Sequence, residues 1–192
     1  MPLVDVDLDA RLAAAKPRDT VRGVIFNALF GVVEQLAGKP AAVECDPVGR
    51  AHRNEFFSYS VSEYLRIAWA ATDRLSVRLG SRERVFWELG DRAARRWLAS
   101  PLGVTFVAFA GRDPERLLKN AASGYRLVVS YGARTVERIG ERHARLRFRH
   151  DFLVPAFHCG VFTGAIDAAS HVAVRAVGRE VGFLDSDYDV TW

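Results

Sequence analysis

The spacing of apolar residues changes once along this chain, at Gly124, and that change limits the possible fold more than any other feature. Before it, apolar side chains recur at helical intervals. After it, most segments alternate apolar and polar residues, the period of a strand with one buried face. Residues 144–150 show this most plainly, with Leu146, Phe148 and His150 on one side and Arg145, Arg147 and Arg149 on the other. Among the strand-like runs lies one apolar helix, opened by Pro155, with Phe157, Val161, Gly164, Ala165 and Ala168 at helical spacings. This order predicts an α+β domain: a helical N-terminal half packed on a small, mostly antiparallel sheet, with one helix inserted between strands.

The helical half has readable punctuation. Residues 1–18 read as a loosely ordered lead-in, leaving residues 19–192 as a single domain. Asp19 or Thr20 can cap a helix carrying Val21, Val24, Ile25, Ala28, Leu29, Val32, Val33 and Leu36, a set too broad for one stripe. That helix should therefore be buried on more than one face, with a partner subunit able to supply the second. Gly38 and Pro40 end it, and residues 40–60 read as a connector. Ser60 and Glu63 have capping-box spacing before the next helix, Gly80 closes that helix, and Ser81 caps another. Pro101 opens a further apolar helix and Asp113-Pro114 a short one. Residues 125–131 and 134–139 read as strands, as do 171–177 and 183–192, the last two separated by residues 178–182.

Length and composition exclude several classes. A chain of 192 residues buries enough surface to need neither disulfide nor metal staple. Cys45 and Cys159 have no CxxC spacing, which fits a reducing, cytoplasmic setting. No basic n-region precedes an apolar run at the N-terminus, and no apolar run approaches the ~18 residues of a membrane span. The net charge is +4, carried almost entirely by arginine. Arginine-rich composition is a weak sign of nucleic-acid binding, so nucleic acid is not the expected partner.

The residues with chemical potential form no catalytic pattern. His143, His150, His158 and Cys159 are the metal candidates, but none forms a close ligand pair of the kind zinc sites use, so no metal is expected. Cys159 lies beside Gly160, Val161, Phe162 and Gly164, the surroundings of a packed structural thiol rather than a nucleophile. The four-residue spacing of Gly160 and Gly164 lets another backbone approach closely. Asp185, Asp187 and Asp189 resemble the opening of a calcium loop, yet Val190 stands at the glycine position and the twelfth-position glutamate is missing. They read instead as the charges of an edge strand. Arg145, Arg147 and Arg149, with Arg126 and Arg134, could make a basic sheet face, either paired locally with Glu137 and Glu141 or holding an anion.

Residues 56–64, 111–116, 129–134, 151–155 and 188–192 together resemble the Myxococcus paralogous family of unknown function, over nearly the whole chain. More distantly, the second half is similar to the superfamily of haem–nitric-oxide/oxygen-binding domains, 4-vinyl reductase ligand-binding domains and vesicle-tethering TRAPP subunits. That resemblance implies an apolar cavity and a homodimer. It does not bring the chemistry with it. The haem branch needs a histidine shortly before the sheet, and residues 120–125 contain none. Its Tyr-x-Ser-x-Arg clamp is echoed only by Tyr131 and Arg134, at the wrong spacing, and the vinyl-reductase branch's terminal cysteines are missing from residues 178–189.

The expected function is a non-enzymatic sensory or protein-interaction module without a cofactor, binding a small apolar ligand in an interior cavity. Phe148, Phe157, His158, Cys159, Phe162, Tyr131 and Arg134 are the candidate ligand-binding residues. Two alternatives stand beside it: an enzyme using Cys159 with His158 or His150, and an anion- or nucleic-acid-binding domain using the arginine row.

Overall fold

In the computed structural model, which describes residues 8–192, α1 (Leu8–Ala14) leads into a short strand β1 (Thr20–Arg22) and the long helix α2 (Gly23–Ala37). The helices α3 (Lys39–Cys45), α4 (Val61–Leu79) and α5 (Arg82–Leu98) complete the first half, with β2 (Ser58–Ser60) paired antiparallel to β1. Shorter helices α6 (Pro101–Ala110), α7 (Pro114–Lys119) and α8 (Ala121–Arg126) lead to β3 (Ala133–Gly140) and β4 (His143–Arg149). Then come α9 (Pro155–Ser170), β5 (Arg175–Gly182) and β6 (Asp185–Thr191). The second half holds one antiparallel sheet in the order β3-β4-β6-β5. The fold is α+β, helices first, with α9 inserted between strands.

Burial explains the helical half. Phe26, Leu29, Val32 and Val33 of α2 are buried, as are Ala28 and Phe30, so α2 is enclosed on more than one face. Its own chain supplies that enclosure, through α3, α4 and α5, and no partner subunit is needed for it. Ser60 accepts from the Ser62 amide and Ser81 from the Arg84 amide, which caps α4 and α5. Glu63 does not close the capping box. It pairs with Arg53, which also holds the buried Asp46 at 2.7 Å.

The two halves meet where α5 crosses α9, and glycine makes the crossing possible. A Cβ on Gly90 would lie 1.9 Å from the Phe157 carbonyl oxygen, one on Gly160 2.0 Å from that of Trp87, and one on Gly164 2.3 Å from that of Asp91. The backbone that approaches the Gly160–Gly164 pair is therefore α5. Helix α9 turns its other side to the sheet, where Phe162 and Ile166 pack on Leu146, Phe148, Tyr188 and Val190.

Several sequence expectations are corrected. Residues 8–14 are helical rather than loose: Leu8 and Leu12 pack on the main core, and Arg11 is buried and donates to the Phe152 carbonyl. The earlier part of that lead-in, residues 1–7, lies outside the described residues. Neither Asp19 nor Thr20 caps α2, because Thr20–Arg22 is extended and pairs with β2. The connector contains α3, which restarts immediately after Gly38 with Pro40 in its first turn. Residues 125–131 are not a strand. Tyr125 and Arg126 belong to α8, and only the neighbourhood of Val129 pairs, with Val21. Residues 178–182 lie inside β5, and the turn falls at Phe183 and Leu184.

His150 leaves the face of Leu146 and Phe148, because its backbone turns left-handed at φ 55° and its ring points outward beside Phe152. The aspartates of β6 are not edge charges either, since β6 lies between β4 and β5. Together with Glu137 of β3 they complement the arginines of β4: Arg145 meets Asp189 at 2.9 Å, Arg149 meets Asp187 at 2.9 Å and Arg147 meets Glu137 at 2.8 Å. The basic row is thereby neutralised on its own sheet. Arg126 sits on α8, and Arg134 pairs across from Phe148 and so faces inward, so neither belongs to that row.

Candidate functional site

A cavity of about 130 Å³ lies between the two halves. Val21 and Ile25 border it from the start of the helical half, Tyr64 from α4, and Ala94, Trp97 and Leu98 from α5. Phe106, Leu117, Leu118 and Tyr125 close it from α6, α7 and α8, and Phe157, His158 and Phe162 from α9. Its volume is close to the ~150 Å³ of an engineered apolar cavity that stays dry and admits benzene or xenon.

One wall is backed by a buried polar chain. Arg134, on the inward face of β3, pairs with Asp151 and donates from Nη1 to the Tyr131 carbonyl at 2.8 Å. Its guanidinium lies 4.4 Å from the Tyr125 ring centroid and 5.1 Å from that of Phe148, a cation held among aromatic faces. Asp151 accepts from the Leu153 amide at 3.1 Å and is 2.9 Å from His158 Nε2. The other ring nitrogen, Nδ1, is 2.8 Å from the Tyr125 hydroxyl. A carboxylate only accepts, so Nε2 carries a proton, and in the neutral imidazole Nδ1 accepts the Tyr125 proton.

These contacts set the electrostatics. Burial by itself would raise the Asp151 pKa, but the neighbouring Arg134 charge and the hydrogen bonds from His158 and Leu153 outweigh it. The carboxyl is held well below the usual carboxylate range. Burial, reinforced by the Asp151 charge, pushes the Tyr125 and Tyr131 phenols well above their ordinary value. The result is a fixed ion pair with neutral tyrosines in front of it.

The structure brings four of the expected site residues to the cavity wall: Tyr131, Phe157, His158 and Phe162. The other three stand behind it. Phe148 is fully buried on the sheet against Tyr125, His158 and Phe162. Arg134 reaches the cavity only through the tyrosines it underlies. Cys159 packs in the cluster between α9 and the sheet. Burial raises its thiol pKa to about 11, partly offset by the Gly178 amide hydrogen bond. Both nitrogens of His158 are engaged elsewhere, so it is not available as a base for Cys159. Residues that the sequence did not single out are Tyr64, Trp97, Tyr125 and Asp151. Tyr64 and Trp97 did carry the helical spacing of core positions, but their polar atoms gave no periodic signal.

A family described as protein of unknown function, DUF2378, matches residues 14–192. The chain belongs to that family. No curated protein matches it. Among solved structures, the Fe(II) unliganded H-NOX protein from K. algicida is similar with a TM-score of 0.70 at 11% identity, covering 88% of this chain and 95% of that one. An H-NOX protein from S. oneidensis in the Fe(II)NO ligation state gives 0.70 at 16% identity, covering 88% and 97%. A mutant of T. tengcongensis H-NOX gives 0.68 at 11% identity, covering 88% and 94%. At these identities the likeness is one of fold. No helix among the described residues is long and apolar enough to cross a membrane.

Proposed function

We propose that this protein is a non-enzymatic, cytoplasmic sensory module that takes up a small apolar molecule between its helical half and its sheet half. The observation that carries this reading is the apolar cavity at the junction, bounded by elements of both halves. A ligand there touches α4, α5 and α9 together, so its occupancy is felt at the crossing where the halves join. The fold shared with H-NOX proteins, one of which is solved in an Fe(II)NO ligation state, supports a ligand-binding reading.

Haem does not fit the residues present. Of the lining residues one is a histidine, His158, and both its nitrogens are engaged, by Tyr125 and Asp151. Cys159 does not line the cavity. The free volume, about 130 Å³, is also below the ~300 Å³ where pockets for larger ligands begin.

Thermal denaturation with benzene tests the proposal. At a hundredfold excess over Kd, binding to the folded state contributes about 2.7 kcal/mol, a rise of roughly 5–10 °C for a chain of this size. Ala94→Leu, which places a larger side chain in the cavity, should remove the benzene shift. A wild-type melting temperature unmoved by benzene would refute the reading. The superfamily resemblance also supports a homodimer, and sedimentation as a monomer at micromolar concentration would exclude it.

A further inference from the structure

Two residues that line this apolar cavity carry buried polar atoms without partners, and these describe what it would hold. Tyr64 is 1% exposed, lines the cavity, and its hydroxyl has no hydrogen-bond partner. Trp97 of α5 also lines the cavity, and its indole nitrogen is buried without a partner. Trp97 can only donate, whereas Tyr64 can donate or accept. Tyr125 contributes a third group: with His158 as the neutral imidazole its proton goes to Nδ1, and its oxygen lone pairs remain able to accept. Other buried polar atoms without partners, such as Arg11 Nε and Arg134 Nε, belong to residues outside the lining.

Leaving a buried donor unpaired costs free energy that a same-shape apolar residue avoids. Phenylalanine at position 64 would keep the ring, which packs edge-on against Phe26 at 5.1 Å, and lose only the oxygen. A tyrosine there is a cost in the empty cavity and a gain once a ligand oxygen reaches it. Charge is excluded by the same wall. No carboxylate, guanidinium or ammonium group lines the cavity among the described residues, because Arg134 and Asp151 are paired with each other behind the tyrosines. An ionised ligand would lose its hydration with nothing opposite to replace it.

From this we propose that the ligand is a neutral, mainly apolar molecule of about benzene's size bearing one oxygen head group. The oxygen, a phenol or alcohol hydroxyl or a ketone carbonyl, accepts from Tyr64 and Trp97, and a hydroxyl can also donate to Tyr125. This inference rests on the cavity reading above and adds the chemistry of the head group to it.

The test is calorimetric titration at pH 7 of phenol against toluene, two probes of matched shape that differ in the oxygen. In a wall without polar partners toluene would bind better, since phenol must give up its hydrogen bonds to water. The expected result is that phenol binds wild-type protein at least as tightly as toluene. Tyr64→Phe should weaken phenol at least tenfold and change toluene less than threefold, and Trp97→Phe should act in the same direction. Circular dichroism of both variants checks that the fold is kept, and the unchanged toluene affinity is a second check. If toluene binds and phenol does not, or if neither substitution alters phenol binding, the head-group inference is overturned while the cavity reading stands. Failure of both probes overturns the cavity reading and this inference with it.

Discussion

The crossing of α5 over α9 makes a prediction whose sign runs against ordinary helix propensity. Alanine is favoured over glycine by about 0.8–1 kcal/mol in an exposed helix interior, so Gly160→Ala judged on local grounds should stabilise α9. In this structure the new Cβ would lie 2.0 Å from the Trp87 carbonyl oxygen, and that carbonyl is backbone, which cannot rotate away. Restoring an acceptable separation means moving the helices apart by roughly 1 Å, a gap that forfeits a quarter to a half of the dispersion energy at each affected contact. Overpacking of this kind costs about 1–3 kcal/mol, more than the propensity gain, and a chain of this size loses roughly 2–4 °C per kcal/mol. Gly160→Ala should therefore lower the melting temperature by several degrees and reduce the urea midpoint at unchanged m-value. Gly90→Ala, with its clash at 1.9 Å on the Phe157 carbonyl, should do the same. A stabilised Gly160→Ala protein would refute the crossing as described.

Three further outcomes follow from the buried charges and the thiol. Asp151→Asn leaves the buried Arg134 without its counter-charge and should cost about 3–5 kcal/mol in urea denaturation, with Arg134→Met in the same chain recovering part of the loss; a loss below about 1 kcal/mol would contradict the pairing. For Asp46, burial would raise the pKa, but hydrogen bonds from Arg53 and from the Val48, Arg50 and Ala51 amides lower it to about 2. A folded pKa below the unfolded ~3.9 means its stabilisation is complete above about pH 4 and lost as the pH falls through about 2. Thermal melts of wild type should decline over that window, and those of Asp46→Asn should start lower and decline less. Cys159, with its thiol pKa at about 11, should resist alkylation in the folded protein at pH 8, where about one thiol in a thousand is ionised, and label on unfolding; rapid labelling of the folded protein at that residue would restore the nucleophile reading.

The fold was legible wherever periodicity carried it. The alternation of residues 144–149 marked β4, Pro155 marked the start of α9, and Gly160 with Gly164 announced a close helix crossing. The errors have a common physical origin in tertiary contacts that override local preference. Residues 125–131 are rich in strand formers, yet Tyr125 is needed at a helix end where its hydroxyl reaches His158. Thr20–Arg22 gives up a capping role because Ser58–Ser60 and the stretch around Val129 offer it strand partners. Asp185, Asp187 and Asp189 looked like edge charges because the arginines they face lie some forty residues earlier.

The site was half legible for a related reason. Aromatic side chains of α9 announced an apolar pocket, but the polar atoms that shape it come from distant segments. His158 meets Asp151 only because the turn after β4 and the start of α9 fold back together, and Tyr64 arrives from α4. A tyrosine at a core spacing in a helix reads the same whether its hydroxyl is satisfied or not.

The central claim is a dry, apolar, ligand-accessible space between the two halves, and a crystal structure under xenon pressure tests it most directly. The account predicts a xenon peak bounded by Leu98, Phe106, Phe157 and Phe162, absent or weakened in Ala94→Leu. Side chains closing that space, with no xenon between α5 and α9, would contradict it.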